Sequence, residues 1–189
     1  MSMALLAGVC VIVGVVLVLI LWAIAAYNGL VSLREQVRAA WAQIDVVLKR
    51  RHDLIPNLVE TVKGYASHEK ETLERVIQAR NQALSASGPQ QAAAAEGALT
   101  GAVRQLFALS EAYPDLKANT NFLQLQGELA STENQISGMR QNYNNLVQRY
   151  NTAILSFPNN LMAGPFGFAP QPFFEIQDPG QREAPVVKF

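Results

Sequence analysis

Charge is scarce in this 189-residue chain and missing altogether from its beginning. Lys and Arg together number 15 and so do Asp and Glu, so the formal net charge is zero, and charged residues make up 16% of the chain. Ordinary globular domains carry about a quarter. A zero balance excludes the global basic field that would hold nucleic acid, and no acidic excess marks a disordered, solvating chain. One cysteine excludes a disulfide framework or a zinc ribbon within the chain. Histidine is nearly as rare, with His52 and His68 alone. Helical di-iron sites need Glu-x-x-His pairs, but Lys49 and Tyr65 stand three residues before the two histidines. His-Glu-x-x-His, a glycine-rich phosphate loop and Gly-x-Ser-x-Gly do not occur. The neighbours His52-Asp53 and His68-Glu69 point apart on a helix and read as polar contacts of a bundle. These absences predict no catalytic residue, no metal and no cofactor, hence a protein that is not an enzyme.

The lack of charge is local. Arg34 is the first charged residue, and from Ala4 to Ala26 the chain is apolar apart from glycine and Cys10, with Trp22 and Tyr27 near the far end. About 23 residues of helix reach roughly 35 Å, enough for a hydrocarbon core of roughly 30 Å, and the aromatic pair suits the interface. Residues 1–28 are therefore read as a transmembrane anchor. No basic residue precedes the run, and the run is longer than the apolar part of a signal peptide, so it is expected to stay uncleaved. Cys10, in mid-run, reads as a thiol buried in the bilayer. Arg34, Arg38, Lys49, Arg50 and Arg51 follow the span, which places the downstream side in the cytoplasm and the N-terminus outside.

What remains is periodic. Leu30, Leu33, Val37, Trp41, Ile44 and Leu48 recur at steps of three and four, one face of a helix that continues from the span. Pro56 is expected to end or kink it and to open a second helix marked by Leu58, Val62, Tyr65, Leu73, Val76 and Ile77. Ser85 to Pro89 reads as a turn. A third helix with Leu99, Val103, Leu106 and Leu109 on its face closes at Pro114. The fourth segment has the longest stripe: Phe122, Leu125, Leu129, Thr132, Ile136, Met139, Tyr143, Leu146, Tyr150, Ala153 and Phe157. Such heptads argue for a long helix packed in a bundle or coiled coil; Asn119, Thr120 or Asn121 can cap its start. The expected helices are about 29–54, 56–85, 90–113 and 120–157, together an all-α cytoplasmic bundle over 29–157. Asn144 and Asn151 stand seven apart beside Tyr143 and Tyr150, a repeat expected to set register between helices. Six of the nine prolines fall from Pro158 onward, among Phe166, Phe168, Phe173 and Phe174. Residues 158–189 are thus an irregular Pro/Phe-rich tail, laid over its own bundle or docked on a neighbouring copy.

Taken together these residues resemble the LemA family. The resemblance rests on Tyr27-Asn28-Gly29-Leu30-Val31 after the span and Trp41 with Arg51-His52-Asp53-Leu54-Ile55-Pro56-Asn57-Leu58-Val59. It continues with Tyr65-Ala66-Ser67-His68-Glu69, Tyr113-Pro114-Asp115-Leu116-Lys117-Ala118-Asn119, Glu133, Arg140, Tyr143-Asn144, Tyr150-Asn151, Pro158 and the Phe-rich tail. It covers nearly the whole chain to about Phe174. The family resemblance implies a single N-terminal membrane helix and a cytoplasmic antiparallel helical bundle in a bacterial inner membrane. Some relatives carry a lipoprotein site, which this sequence lacks. The resemblance brings with it one relative that acts in magnetosome membrane formation and other members linked with membrane stress and with a membrane zinc metalloprotease, and none of these brings a residue-level site.

The expected role is therefore a non-enzymatic inner-membrane scaffold that self-associates through its bundle and organises or shapes the membrane. The alternative is a membrane-anchored adaptor or regulator of another membrane protein such as a metalloprotease. The partners expected are the lipid bilayer, further copies of the chain and a membrane protein, with no nucleic acid. Packing and assembly are assigned to Trp41, Arg51, Pro56, Tyr65, Tyr113, Pro114, Phe122, Tyr143, Asn144, Tyr150, Asn151, Phe166, Phe168, Phe173 and Phe174.

Overall fold

A computed structural model of the chain describes residues 3–175, with side chains from Leu6 onward. The last part of the expected tail, 176–189 with Pro179 and Pro185, lies outside the described residues. Every regular element among the described residues is helical: α1 (Met3–Lys63), α2 (Lys70–Ser85), α3 (Gly88–Ser110), α4 (Pro114–Lys117), α5 (Thr120–Leu155) and α6 (Asn160–Ala163). The chain divides into two compact units, Met1–Ala39 with Asn145–Gln171 and Ala40–Asn144 with Pro172–Phe189. Both long helices, α1 and α5, contribute to both.

In the first unit every side chain from Leu6 to Leu21 is exposed, although all but the glycines, Ala7 and Cys10 are large and apolar. This part of α1 is long and apolar enough to cross a membrane. Cover begins at Trp22, Ala23 and Ala26, which are half-buried, and becomes complete at Leu30 and Val37. The buried partners within this unit are Val147, Tyr150, Ile154, Ala163 and Phe168.

The second unit holds the larger core, gathered from Ile55, Leu58 and Val62 of α1, Leu73 and Val76 of α2, Leu99, Val103 and Leu106 of α3, Leu116 of α4, and Phe122 and Leu129 of α5. Its helices alternate in direction. Trp41 of α1 stacks on Tyr143 of α5, and ten residues further along α1, Arg51 meets Glu133, ten residues earlier in α5. Glu69 with Tyr113 and Arg75 with Gln105 show the same opposed running of α2 and α3. Core residues in α1 fall at sevenfold spacing, Leu30, Val37, Ile44 and Leu58, as a packed helix requires.

Four boundaries differ from those read in the sequence. α1 runs through Pro56 to Lys63 without a break. Proline lacks the N–H that would bond the carbonyl four residues back, here that of His52. Arg80 of α2 donates its Nε hydrogen to that carbonyl at 2.8 Å instead, so the helix keeps its acceptor satisfied and has no reason to end. The break comes at Gly64–Glu69, where the apolar stripe has a gap between Tyr65 and Leu73; α2 consequently begins at Lys70, not at Pro56. The third difference lies after Pro158: one helical turn, α6, fits before Pro165. The fourth is the end of the third helix, expected at Pro114: α3 ends at Ser110, and Pro114, whose ring suits a first helical turn, opens the separate α4. The other junctions fall within two residues of expectation. Gly88 opens α3 with φ of 76°, a conformation glycine adopts freely. Asn119 caps α5, its Oδ1 accepting the Phe122 N–H at 2.9 Å.

Candidate assembly surfaces and a buried ionic cluster

The most deeply buried charged side chain in the second unit is Glu96 of α3, 1% exposed. Arg51 of α1 donates Nη1 to its Oε2 at 2.9 Å and Nη2 to the Thr100 hydroxyl at 2.8 Å, and the same Nη2 lies 3.0 Å from Glu133 Oε2 on α5. Nε2 of His52, also buried, donates to the other Glu96 oxygen at 2.5 Å. Together with the Arg80 bond to the His52 carbonyl, three helices, α2, α3 and α5, converge on one turn of α1. Buried charges are costly unless each is paired and hydrogen-bonded, and the guanidinium fork meets that demand in two directions at once. The sequence stripe already hinted at it: Arg51 stands seven after Ile44 and seven before Leu58, and Glu96 stands three before Leu99. Both positions are core positions occupied by opposite charges. The other residues of the basic run, Lys49 and Arg50, remain exposed. The cluster is saturated by its own members. Among the described residues no group of three or more His, Cys, Asp or Glu side chains is placed to hold a metal ion.

A second polar theme binds the tail. Phe174 is fully buried against Trp41, ring centroids 5.5 Å apart, and Trp41 in turn packs on Tyr143 at 5.7 Å. The Tyr143 hydroxyl donates to the Pro172 carbonyl at 2.9 Å. Asn144 then clamps the Phe174 backbone from both sides: Nδ2 donates to its carbonyl at 3.2 Å and Oδ1 accepts its N–H at 2.9 Å. In the first unit Asn151 does the same to Gln171, at 2.9 and 2.8 Å. The two asparagines expected to set register between helices thus read tail backbone, and the tail to Glu175 lies on its own chain. Burial pushes the Tyr143 phenol up from 10.0 to about 12. Burial also raises Tyr150, against the opposing pull of Arg34 and Arg38; its hydroxyl, fully buried, has no hydrogen-bond partner.

The remaining candidates disperse. Asn119 donates to the Tyr65 hydroxyl at 2.9 Å, and Tyr113 donates to Glu69 at 3.1 Å, so these tyrosines tie the loop ends of the second unit. Burial, then the Glu69 hydrogen bond and charge, raise the Tyr113 phenol. Pro114 opens α4, and Phe122 packs edge-on against Phe107 at 5.9 Å. Phe173 is exposed. In the first unit Tyr27 meets Phe166 and Phe168 edge-on at 5.2 and 5.7 Å, and the Arg34 guanidinium lies 5.2 Å from the Phe168 ring centre. Phe157, which the stripe places on the packed face, is exposed because α5 ends at Leu155. Near that end burial passes to Val147 and Ile154, the drift expected when a 3.6-residue helix follows a 3.5-residue repeat. Glu96 and Arg80 are the functional-looking residues that sequence reasoning passed over, whereas His52, read there as a polar contact of a bundle, is one.

Comparison with known proteins finds several relatives. The chain is 28% identical over 140 residues to Protein LemA of Metamycoplasma hominis, covering 72% of this chain and 63% of the relative, so it spans less than two thirds of that protein's length. It is 24% identical over 187 residues to the magnetosome proteins MamQ 1 and MamQ 2 of Paramagnetospirillum magneticum, covering 85% of this chain and 68% of each relative. The model of the LemA family matches residues 40–189, well over half of the sequence. The chain belongs to the LemA family.

Proposed function

We propose that this protein is a non-enzymatic scaffold of the bacterial inner membrane, anchored by one span with its N-terminus outside and its bundle in the cytoplasm, and self-associating through that bundle. The observation that carries this reading is α1 itself: a single helix whose first part exposes only apolar side chains and whose later part supplies the core of a folded unit. The saturated Arg51–Glu96–His52 cluster supports a structural use of its charges, since every one is engaged by a neighbour. Relatives named as magnetosome proteins lend support to a role in a larger body. The test is the mass of the detergent-extracted protein: a homo-oligomer is expected, and a strict monomer overturns self-association. Alkaline phosphatase fused at the C-terminus is expected to be inactive; activity there reverses the topology.

A second reading, an adaptor for another membrane protein, draws on one feature. Val59, Glu60, Lys63, Ser67, Lys70, Leu73, Glu74 and Ile77 line an open groove of about 420 Å³ between α1 and α2, mixing an exposed isoleucine with charges of both signs. Purification from native membranes decides between the two. A stoichiometric second protein with little self-assembly favours the adaptor.

A further inference from the structure

A second uncharged stretch follows the first. Between Arg149 and Glu175 there is no Asp, Glu, Lys, Arg or His. Within it Leu155, Phe157 and Leu161 are 71%, 81% and 60% exposed, and Phe166 is exposed beside them in sequence. Large apolar side chains this free of cover, on a segment with no charge to keep it in water, need an occupant.

The depth of the segment is fixed by Tyr27. That ring closes the apolar run of α1, and Phe166 and Phe168 both pack against it. Phe168 also lies under Arg34, the first charge after the run. Seven residues of helix separate Tyr27 from Arg34, roughly 10 Å, and each polar interfacial layer of a bilayer is roughly 5–8 Å deep. Phe166 therefore stands where the span leaves hydrocarbon, and Phe168 bridges from there towards the first cation. Aromatic rings at this depth match the belt that membrane proteins place among the headgroups.

We infer that residues 155–168 form a second membrane-contact element, a short aromatic and aliphatic segment lying in the headgroup layer beside the exit of α1. Its occupant is lipid. A second copy of the chain is the rival cover, but the ring contacts with Tyr27 hold the segment at the level of the bilayer surface, and its lack of charge suits that layer. The contact would fix the tilt and rotation of α1 at two points, so that the first unit sits on the membrane and not merely beside it. The inference rests on the anchoring proposed above and extends it to residues far along the chain.

Spin labelling of the full chain in nanodiscs holding one copy each tests it. In a Cys10→Ser background, single cysteines replace Leu17, Phe157, Leu161 or, as an aqueous control on α5, the exposed Gln148. Collision with oxygen is compared with collision with a water-soluble nickel chelate. Labels at 17, 157 and 161 should favour oxygen severalfold over the label at 148. If 17 favours oxygen while 157 and 161 behave like 148, the interfacial element is overturned and the anchor stands. If 17 is also aqueous, the anchoring itself fails. Protection at 157 that appears only when nanodiscs hold several copies assigns the patch to a second copy and overturns the lipid contact.

Discussion

Arg80 supplies the hydrogen that Pro56 cannot: its Nε donates to the His52 carbonyl, the acceptor left open four residues before the proline. A side chain from α2 thereby repairs a backbone defect in α1, which explains how a 61-residue helix tolerates an internal proline. Arg80→Ala should leave that buried carbonyl without a donor and cost about 1–3 kcal/mol. In a Pro56→Ala background the restored backbone N–H should remove most of that cost. Urea unfolding of the four members of this cycle measures the coupling; equal effects of Arg80→Ala in both backgrounds would sink the repair account.

The Arg51–Glu96–His52 cluster makes a different demand. Glu96→Ala leaves a guanidinium buried without its main partner and should destabilise by about 3–5 kcal/mol. Replacing both charges with apolar residues, Arg51→Met with Glu96→Leu, should recover most of the loss, because neither charge then needs solvation. Thermal melts followed by circular dichroism give the comparison. A double variant no more stable than Glu96→Ala would mean that the cluster contributes more than its own neutralisation.

Two buried tyrosines seven residues apart should respond oppositely to loss of their hydroxyls. Tyr143→Phe removes the bond to the Pro172 carbonyl and should cost about 1 kcal/mol. Tyr150→Phe removes a hydroxyl with no partner and should be neutral or stabilising by up to about 1 kcal/mol. Denaturant midpoints on the two variants check the sign directly.

Alkaline pH should loosen the same tyrosine. Burial raises the Tyr143 phenol from 10.0 to about 12, so the folded state holds its proton more tightly than the unfolded state. The corresponding stability is complete below pH 10 and is lost as pH climbs through the folded value. Melting temperature should therefore fall as pH rises from 10 towards 12, and Tyr143→Phe should flatten part of that fall. Titration of the variant beside the parent protein, followed by absorbance of tyrosinate, separates this residue from the other phenols.

Much of the architecture was legible because it is written in local repeats. The stripe from Phe122 to Tyr150 marks α5, the uncharged run marks the apolar part of α1, and Asn119 is among the three residues read as able to cap α5. What escaped depends on partners distant in sequence. Pro56 reads as a break until Arg80 is brought to it across a turn. Glu96 carries no meaning of its own until Arg51, 45 residues earlier, reaches it. Asn144 and Asn151 advertise a heptad, but nothing local says that their amides hold an extended tail and not another helix. Phe157 follows the repeat arithmetically and leaves it physically, because the helix has ended.

The Asn144 clamp also sets an order in time. Trp41 and Tyr143 wait for Phe174 to finish their packing, and Phe174 is made long after both and after the apolar run of α1. Synthesis proceeds from the N-terminus, so the apolar run of α1 is complete while the second unit is still open. A nascent chain that has not yet reached Phe174 therefore already carries its apolar run before it owns a finished second unit.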